Sequence, residues 1–299
     1  MTVRVGSDRC IYAFTSEMSP VARATAGDTI LFEAQDALGG QVQSEQDLLE
    51  NLDFGRINPA SGPVFVEGAA PGDTLVVRVR SIDTADRGAI VTGPGMGVLG
   101  DEIASPLSRI LPIDDNEVVF EDLRLPARPM IGVIGVAPAD GEYPTGTAHR
   151  HGGNMDTKEI VAGSTVYLPV RRPGGLLALG DVHAVMGDGE VCVSACECAA
   201  AVEVEIDLIK SRCPAWPIVE VDGEILILVS LPTIEEALVE ATSQAVSVLE
   251  AARNLSRGEA YLLASLTVDV RVSQLVDPNK TAKAAIPARI LGRSIADLL

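Results

Sequence analysis

Short runs of β-branched and aliphatic residues, each bounded by turn residues, dominate the first two-thirds of this 299-residue chain. Such runs favour strands, and the glycine, asparagine and aspartate between them favour tight reversals. Many short strands joined by such turns are typical of a β sandwich or barrel. The predicted strands are residues 28–33, 62–67, 74–80, 117–120, 129–138, 165–170, 201–208 and 225–231.

The remaining third changes to a helical period. Thr233 and Glu236 form a capping-box pattern, and the apolar positions that follow recur every three or four residues. Ser256 and Glu259 repeat the capping pattern ahead of a second apolar stretch, and a strand is predicted at 268–272. We therefore predict a mainly β protein with a smaller α+β portion at its C-terminal end.

A proline-rich joint separates the two parts. Residues 211–217 contain two prolines and the only tryptophan of the chain. We therefore predict a β-rich body that carries the site, residues 1–212, and an α+β C-terminal portion, residues 213–299.

The charge balance narrows the possible partners. The chain has 42 acidic and 23 basic residues, a net charge of −19. Such a chain would repel phosphates, so we expect neither nucleic acid nor an anionic membrane as the partner. The sequence has no secretory leader pattern and no apolar run of membrane-spanning length, which predicts a cytoplasmic protein.

The five cysteines, an odd number, do not suggest a disulfide framework. Cys192, Cys196 and Cys198 would share one face of a regular strand, an arrangement that suits a thiolate metal site, but their spacing is not Cys-x-x-Cys. We interpret them as buried free cysteines.

The segment 180–190 carries three side chains suited to metal binding or proton transfer. Asp181 and His183 point to the same side of an extended strand, because successive side chains alternate. Asp188-Gly189 favours a reversal, after which Glu190 would begin a returning strand and approach the other two. Two carboxylates and an imidazole at a hairpin end suit a divalent metal. The alternative is that these are turn aspartates and a structural histidine.

The other two histidines open a polar loop, residues 149–158. A Gly-Gly pair within it allows a ligand to approach the backbone closely, and Asn154 and Asp156 supply oxygens. An ordinary polar turn is the alternative. Because all three histidines fall within 35 residues, we predict that this loop and the segment 180–190 form one site.

Several common catalytic motifs are missing from the sequence. There is no serine-nucleophile elbow, phosphate-binding loop, dinucleotide fingerprint or zinc-protease helix motif. The glycine-rich stretch 93–100 does not match the dinucleotide fingerprint in residues or context. We interpret it as a connection, either a plain one or a mobile flap over a site.

Five segments resemble the acetamidase/formamidase family, and the likeness runs from about residue 12 to about residue 289. They are Asn-Pro-Ala-Ser-Gly-Pro-Val at 58–64, Glu-Gly-Ala-Ala-Pro-Gly-Asp-Thr-Leu at 67–75, Arg-Pro-Met-Ile-Gly-Val-Ile-Gly-Val-Ala-Pro at 128–138, His-Gly-Gly-Asn-Met-Asp at 151–156, and the segment 180–190. The resemblance implies a mostly β fold with jelly-roll-like and barrel-like parts and an α+β C-terminal piece. It also implies a homodimer, a bound divalent metal, and hydrolysis of short amides to a carboxylate and ammonia.

On this resemblance we hypothesise metal-assisted amide hydrolysis. Asp156, Asp181 and His183 would hold the ion, which lowers the pKa of a bound water, in good zinc sites from about 15.7 to about 7. With one nitrogen donor and mostly oxygens, zinc is the first choice, and manganese and calcium are the alternatives.

The remaining site residues receive roles in proton transfer and substrate binding. Glu190 is the predicted general base, which later passes the proton to ammonia, although Glu190 and Asp156 could exchange the roles of base and ligand. The predicted oxyanion donors, each worth about 3 kcal/mol when well placed, are His151, Asn154 and the backbone amides of Gly152 and Gly153.

Two other functions fit the same residues. One is a metal-stabilised β protein that captures a small polar ligand without turning it over. The other is a different metal-dependent hydrolase or lyase acting on a carbonyl compound, because one fold can carry several chemistries.

Overall fold

The computed structural model describes residues 1–299, which form two large β sheets, a small two-stranded sheet and a helical layer. The strands are β1 (Thr2–Val5), β2 (Cys10–Ile11), β3 (Ala13–Thr15), β4 (Ala22–Ala24), β5 (Thr29–Ala34), β6 (Ala60–Val66), β7 (Thr74–Thr84), β8 (Arg87–Thr92), β9 (Leu107–Asp114), β10 (Glu117–Phe120), β11 (Leu123–Pro126), β12 (Met130–Gly135), β13 (Glu142–Pro144), β14 (Gly152–Asn154), β15 (Thr165–Pro169), β16 (Leu177–His183), β17 (Glu197–Cys198), β18 (Ala200–Ile209), β19 (Ile218–Val221), β20 (Glu224–Leu231), β21 (Asp269–Gln274) and β22 (Lys280–Pro287). The helices are α1 (Ile234–Arg253), α2 (Arg257–Thr267) and α3 (Ala288–Leu291).

The two large sheets differ in how their strands are connected. The nine-stranded sheet has the order β1-β5-β18-β7-β15-β19-β20-β22-β21. The eleven-stranded sheet follows the path β11-β10-β9-β8-β17-β16-β12-β14, and β6 joins it beside β16 together with β2 and β4. Strands that are distant in sequence, such as β12, β16 and β17, therefore become neighbours.

The two large sheets share the main hydrophobic core. Along β7 the side chains of Leu75, Val77 and Val79 belong to this core, together with Val64 of β6 and Ile131 of β12. The alternate position, Val76, belongs to a second core, as the two-residue period of a strand requires. Strand β20 is covered on both faces, with Leu226 in the first core and Ile225 in the second, which explains its uninterrupted apolar run; β18 alternates apolar and acidic residues and is covered on one face.

The helical layer covers the other face of the nine-stranded sheet. Ala237, Ala241 and Leu249 of α1 are fully buried in the second core with residues of β20 and β22. The Thr233 side chain accepts a hydrogen bond from the backbone of Glu236, and Ser256 and Glu259 form a complete capping box at α2. The predicted helix starts and the mainly β fold with an α+β C-terminal portion are confirmed.

The predicted returning strand after Asp188-Gly189 is wrong. The chain between β16 and β17 forms turns and irregular segments and contains no strand, and Glu190 and Val193 have left-handed φ angles of 47° and 81°. The antiparallel partner of β16 is instead β17, which places His183 opposite Glu197. Gly189 is held instead by the C-terminal part of the chain: its N–H donates to the carbonyl of Ser273, and its carbonyl accepts from the N–H of Leu275.

The cysteines are free, as predicted, but they do not share a strand face. Cys196 and Cys198 are buried, whereas Cys192 lies in the irregular loop and is partly exposed. None of the helices combines the length and the apolar character that a membrane crossing requires. The division at residue 212 stays a prediction, and the nine-stranded sheet contains strands from both sides of it.

Candidate active site

The end of β16 places an imidazole among three carboxylates. His183 Nε2 lies 3.0 Å from Asp181 Oδ1, 3.0 Å from Glu197 Oε2 and 3.9 Å from Asp156 Oδ1. All four side chains are buried. A single ring nitrogen can donate to only one carboxylate at a time, so the other two lack a donor at this point. We call these four residues the His183 cluster.

Gly132 makes room for two of these carboxylates. The backbone N–H of Asp156 donates to the carbonyl of Gly132 at 3.3 Å, which anchors the residue beside β12. A Cβ atom at Gly132 would lie 2.5 Å from Asp156 Oδ1 and 2.6 Å from Asp181 Oδ2. Only a residue without a side chain fits here, so the glycine inside this strand serves close packing against the site.

Three acidic residues of the site have left-handed backbones. The φ angles of Asp156, Asp181 and Glu190 are 39°, 54° and 47°. Non-glycine residues adopt this region rarely, and such strained positions gather at functional sites. Asp181 and Glu190 line the same cavity.

A buried ion-pair network holds the loop that carries Glu190. Lys283 of β22, which is fully buried, donates to both oxygens of Glu159 at 2.9 and 2.8 Å and to Asp188 Oδ1 at 2.6 Å. The other oxygen of Asp188 pairs with Lys158 at 2.9 Å. Two residues after Asp188, the position of Glu190 is therefore set by contacts with the C-terminal part of the chain.

Burial and mutual repulsion raise the pKa values of the carboxyl groups at the site. Burial, followed by the charges of Glu190 and Asp181, raises the pKa of Asp156 well above its ordinary value. Burial also raises the pKa of Glu190 strongly, and it raises the pKa values of Glu197 and Asp277 to about 7. The protein has thus gathered more carboxylates than it can ionise together without positive charge.

The same surroundings favour the charged form of His183. Burial disfavours its charged form, but the carboxylates of Glu197 and Asp181 outweigh that effect and hold the pKa of His183 well above its ordinary value. One imidazolium balances only one of the surrounding carboxylates. The site therefore favours a further cation.

The donor atoms fit a divalent metal ion. Asp156, His183 and Glu190 form one set of donors within 4.8 Å of one another, and Asp181, His183 and Glu197 form another. Both carboxylate oxygens of Asp156 and one of Glu197 are buried without a hydrogen-bond partner. Buried polar atoms are normally satisfied, and carboxylates with one imidazole are ligands that zinc and manganese accept.

A cavity of about 720 Å³ opens beside this donor set. The acidic and amide side chains that line it are Asn154, Asp181, Glu190, Glu197 and Asp277. The Nδ2 of Asn154 donates to Asp277 Oδ2 at 2.8 Å, while its Oδ1 is buried without a partner. The loop 149–158 and the segment 180–190 thus meet at one site, through Asn154 and Asp156 from the first and Asp181, His183 and Glu190 from the second.

The two histidines of the loop, His149 and His151, pack against aromatic rings. The ring of His151 lies 5.1 Å from that of Phe14 and 4.9 Å from that of Tyr143, and His149 stacks on Tyr143 at 5.1 Å. Burial lowers the pKa of His151 to about 3, so its ring is neutral. The assembled donor sets contain His183 and neither of the other two histidines. The catalytic role of His151 stays a prediction.

The Gly-Gly pair packs closely against neighbouring backbone. Gly152 and Gly153 have φ angles of 92° and 99°, and a Cβ atom at Gly153 would lie 2.4 Å from the carbonyl oxygen of Thr147. The N–H of Gly152 donates to the carbonyl of His149 at 3.0 Å. This amide is therefore already used, and the predicted oxyanion role of Gly152 requires that bond to open.

Two residues of the site were missed by the sequence reasoning. Glu197 is the single charged residue in a run of apolar and small residues from 191 to 202. Because charged residues are rarely buried without a partner, this pattern is a signal that could have identified Glu197 as a site residue. Asp277 lies in a polar turn between β21 and β22. Its local sequence is ordinary for a turn, so only the fold reveals its place in the site.

Comparison with known proteins identifies the family. The sequence model of the Acetamidase/Formamidase family matches residues 8–145 and 141–293. The chain belongs to this family. A crystal structure of an acetamidase from Bacillus halodurans is 40% identical, with a TM-score of 0.95, and covers 97% of this chain and 99% of its own. A structure described as a predicted acetamidase/formamidase from Thermoanaerobacter tengcongensis is 41% identical, with a TM-score of 0.95 and coverages of 98% and 97%.

Curated relatives of the acetamidase/formamidase family are more distant. The formamidase of Methylophilus methylotrophus is 27% identical over 255 residues, which cover 65% of this chain and 62% of that protein. A formamidase-like protein of Schizosaccharomyces pombe is matched over 60% of its length. The chain thus spans about three-fifths of the curated relatives it matches, and nearly all of the solved ones. The family predicted from the five sequence segments is confirmed.

Proposed function

We propose that this protein hydrolyses a short-chain amide, of the formamide or acetamide type, to a carboxylate and ammonia with the help of a divalent metal. The observation that carries the proposal is the His183 cluster beside a cavity lined by Asn154 and Glu190, in a member of the acetamidase/formamidase family. The names of the solved relatives support the same reaction.

In this proposal Asp156, Asp181 and His183 hold the ion, and Glu197 joins them. Zinc remains the first choice, with manganese and calcium as alternatives. When bound, such an ion makes water more acidic and polarises a carbonyl group. The unpartnered oxygens of Asp156 and Glu197 support the assignment of these two ligands.

Glu190 is the proposed general base. It lines the cavity, whereas Asp156 and His183 are fully buried behind it, so Glu190 can reach both water and substrate. It removes a proton as the water oxygen bonds to the carbonyl carbon. It then returns that proton to the nitrogen as the C–N bond breaks, which releases ammonia and the carboxylic acid; the acid passes its proton to ammonia, so the final products are the carboxylate and ammonium.

Asn154 is the proposed substrate contact. Its Nδ2 is tied to Asp277, which fixes the orientation of the amide group, and its Oδ1 lacks a partner at the cavity wall. A free side-chain carbonyl can accept a hydrogen bond from the –NH₂ of a substrate amide. Gly152, Gly153 and His151 stay the predicted oxyanion contacts, but none of them lines the cavity in this structure.

Ammonia release from formamide, acetamide and propionamide tests this proposal. We expect release by the purified protein, loss of release after chelation, and recovery when zinc or manganese is restored. Metal binding with no ammonia from any amide would favour a ligand-binding protein instead. Consumption of another carbonyl compound without amide turnover would favour a different hydrolase or lyase.

Homodimeric assembly and a cytoplasmic location remain predictions from the family resemblance and the composition. Sedimentation analysis of the purified protein tests the first, and fractionation of the source cells tests the second. A monomer in sedimentation would contradict the dimer.

A further inference from the structure

The cavity beside the His183 cluster has apolar residues in its wall that the smallest amides would leave uncovered. We infer that the preferred substrates are primary amides with an apolar acyl group of about four to eight carbons. This inference rests on the proposed amide hydrolysis and concerns the part of the substrate that does not react. It follows from the size of the cavity and from the polar and apolar side chains of its wall.

The size of the cavity exceeds that of formamide or acetamide several times. A water molecule occupies about 30 Å³ in the liquid, so molecules of three and four non-hydrogen atoms need roughly 90 and 120 Å³. The cavity measures about 720 Å³, which lies in the range of sites for much larger ligands. Hexanamide and octanamide, at roughly 240 and 300 Å³ on the same scale, fit with room for an ion and water.

Part of the cavity wall is hydrophobic. Leu38, Leu49 and Val91 line it and belong to a small core of their own, separate from the two large cores. Met96, in the glycine-rich stretch 93–100, lines the cavity and packs against the same small core. The segments that carry these side chains are two long connections and the end of β8, which are the parts of a fold that vary with function.

Phe54 adds an aromatic ring that the protein itself does not bury. It follows the turn Leu49–Asn51 in a second short turn, Phe54–Arg56, and it lines the cavity although 51% of its surface is exposed. A large exposed aromatic at the wall of a pocket is available for an apolar ligand group. We call Leu38, Leu49, Phe54, Val91 and Met96 the acyl wall.

The polar and apolar residues of the cavity wall match the two parts of one substrate. Asn154, Asp181 and Glu190 line the cavity and are the residues that the proposed function assigns to the amide group. With that group in place, only an acyl chain can reach the acyl wall. Formamide and acetamide would leave the wall facing water and would gain no binding free energy from it.

A chain-length series tests the inference. Ammonia release is measured with formamide, acetamide, butanamide, hexanamide, octanamide and benzamide, and binding is followed separately by the rise in Tm that each amide causes. We expect kcat/KM to rise by about fourfold per added methylene until the wall is covered. A series that is flat or falls beyond acetamide, with turnover present, overturns the inference and leaves amide hydrolysis standing. Binding that strengthens with chain length but releases no ammonia supports the apolar wall and overturns the hydrolytic function.

A variant of the wall separates specificity from general damage. Phe54→Ala should lower the ratio of kcat/KM for hexanamide to that for acetamide by about tenfold, because the acyl chain loses an aromatic contact. Tyr261→Ala is the matched control, since it removes an aromatic ring that is 63% exposed on α2, outside this cavity. The control should leave the ratio unchanged. An unchanged ratio in Phe54→Ala, or an equal fall in both variants, contradicts the acyl wall.

Discussion

One methyl group added at Gly132 should disable the site. In Gly132→Ala the new Cβ would lie 2.5 Å from Asp156 Oδ1, 2.6 Å from Asp181 Oδ2 and 2.8 Å from the Asp181 carbonyl oxygen, where ordinary contact begins near 3.4 Å. The two carboxylates must therefore move by nearly 1 Å, and both belong to the proposed ligand set. Misplacement of about 1 Å can lower turnover by about a hundredfold.

The same substitution also has a predicted effect on stability. Forcing an extra methyl group into a packed interior typically costs about 1–3 kcal/mol, a large share of the roughly 5–15 kcal/mol that separates folded from unfolded protein. Gly258→Ala is the matched control, because it adds the same group on α2 with no atom within 4 Å. In a helix, that change should stabilise by about 0.5–1 kcal/mol.

Urea denaturation, elemental analysis and ammonia release measure these effects together. We expect Gly132→Ala to lose metal and about a hundredfold in activity and to unfold at lower urea concentration, whereas Gly258→Ala keeps metal and activity and unfolds at slightly higher urea concentration. If Gly132→Ala retained wild-type metal content and activity, the contact between this strand and the two carboxylates would not be part of the functional site.

Three further predictions follow from other contacts. Lys283→Met leaves the buried carboxylate of Glu159 unpaired and should lower the free energy of unfolding, measured by urea denaturation, by about 3–5 kcal/mol. Arg124→Met breaks an exposed ion pair and should lower it by at most about 1 kcal/mol. Equal losses in the two variants would contradict the importance of burial. Hydrogen bonds from the Thr25 hydroxyl and N–H hold the pKa of Asp28 at about 2, below its ordinary 3.8. The difference in unfolding free energy between wild type and Asp28→Asn at pH 5 should therefore shrink as the pH falls from about 4 towards 2. A difference that stays constant over this range would contradict the prediction. Zinc at about 100 times its dissociation constant should stabilise the fold by about 2.7 kcal/mol in thermal unfolding, and an unchanged Tm would contradict binding to the folded state.

Local sequence patterns predicted several long strands and the two long helices, but strands such as β8, β9 and β22 were not predicted. The run 117–120 matches β10, and the capping patterns at Thr233 and Ser256 place the starts of α1 and α2. These elements are predictable because their determinants lie within a few residues, in turn chemistry, side-chain period and caps. The order of strands in the two sheets is not predictable in this way, since it depends on pairings between distant segments.

The site was predicted in part for the same reason. The alternation of side chains correctly put Asp181 and His183 together, and their hydrogen bond of 3.0 Å shows it. The returning strand at Glu190 was wrong because a tertiary tether, through Asp188 and Lys283, overrides the local tendency to form a hairpin. Asp277 could not be found, because a polar turn acquires its function only where β21 and β22 bring it to the cavity.

The most direct test of the central claim is the position of a bound metal ion. Anomalous X-ray scattering from crystals grown with zinc locates the ion without reference to activity. The account predicts an anomalous peak between the imidazole of His183 and the carboxylate of Asp156, and no such peak in His183→Ala. A peak at a different place on the molecule, or one that persists unchanged in His183→Ala, would contradict it.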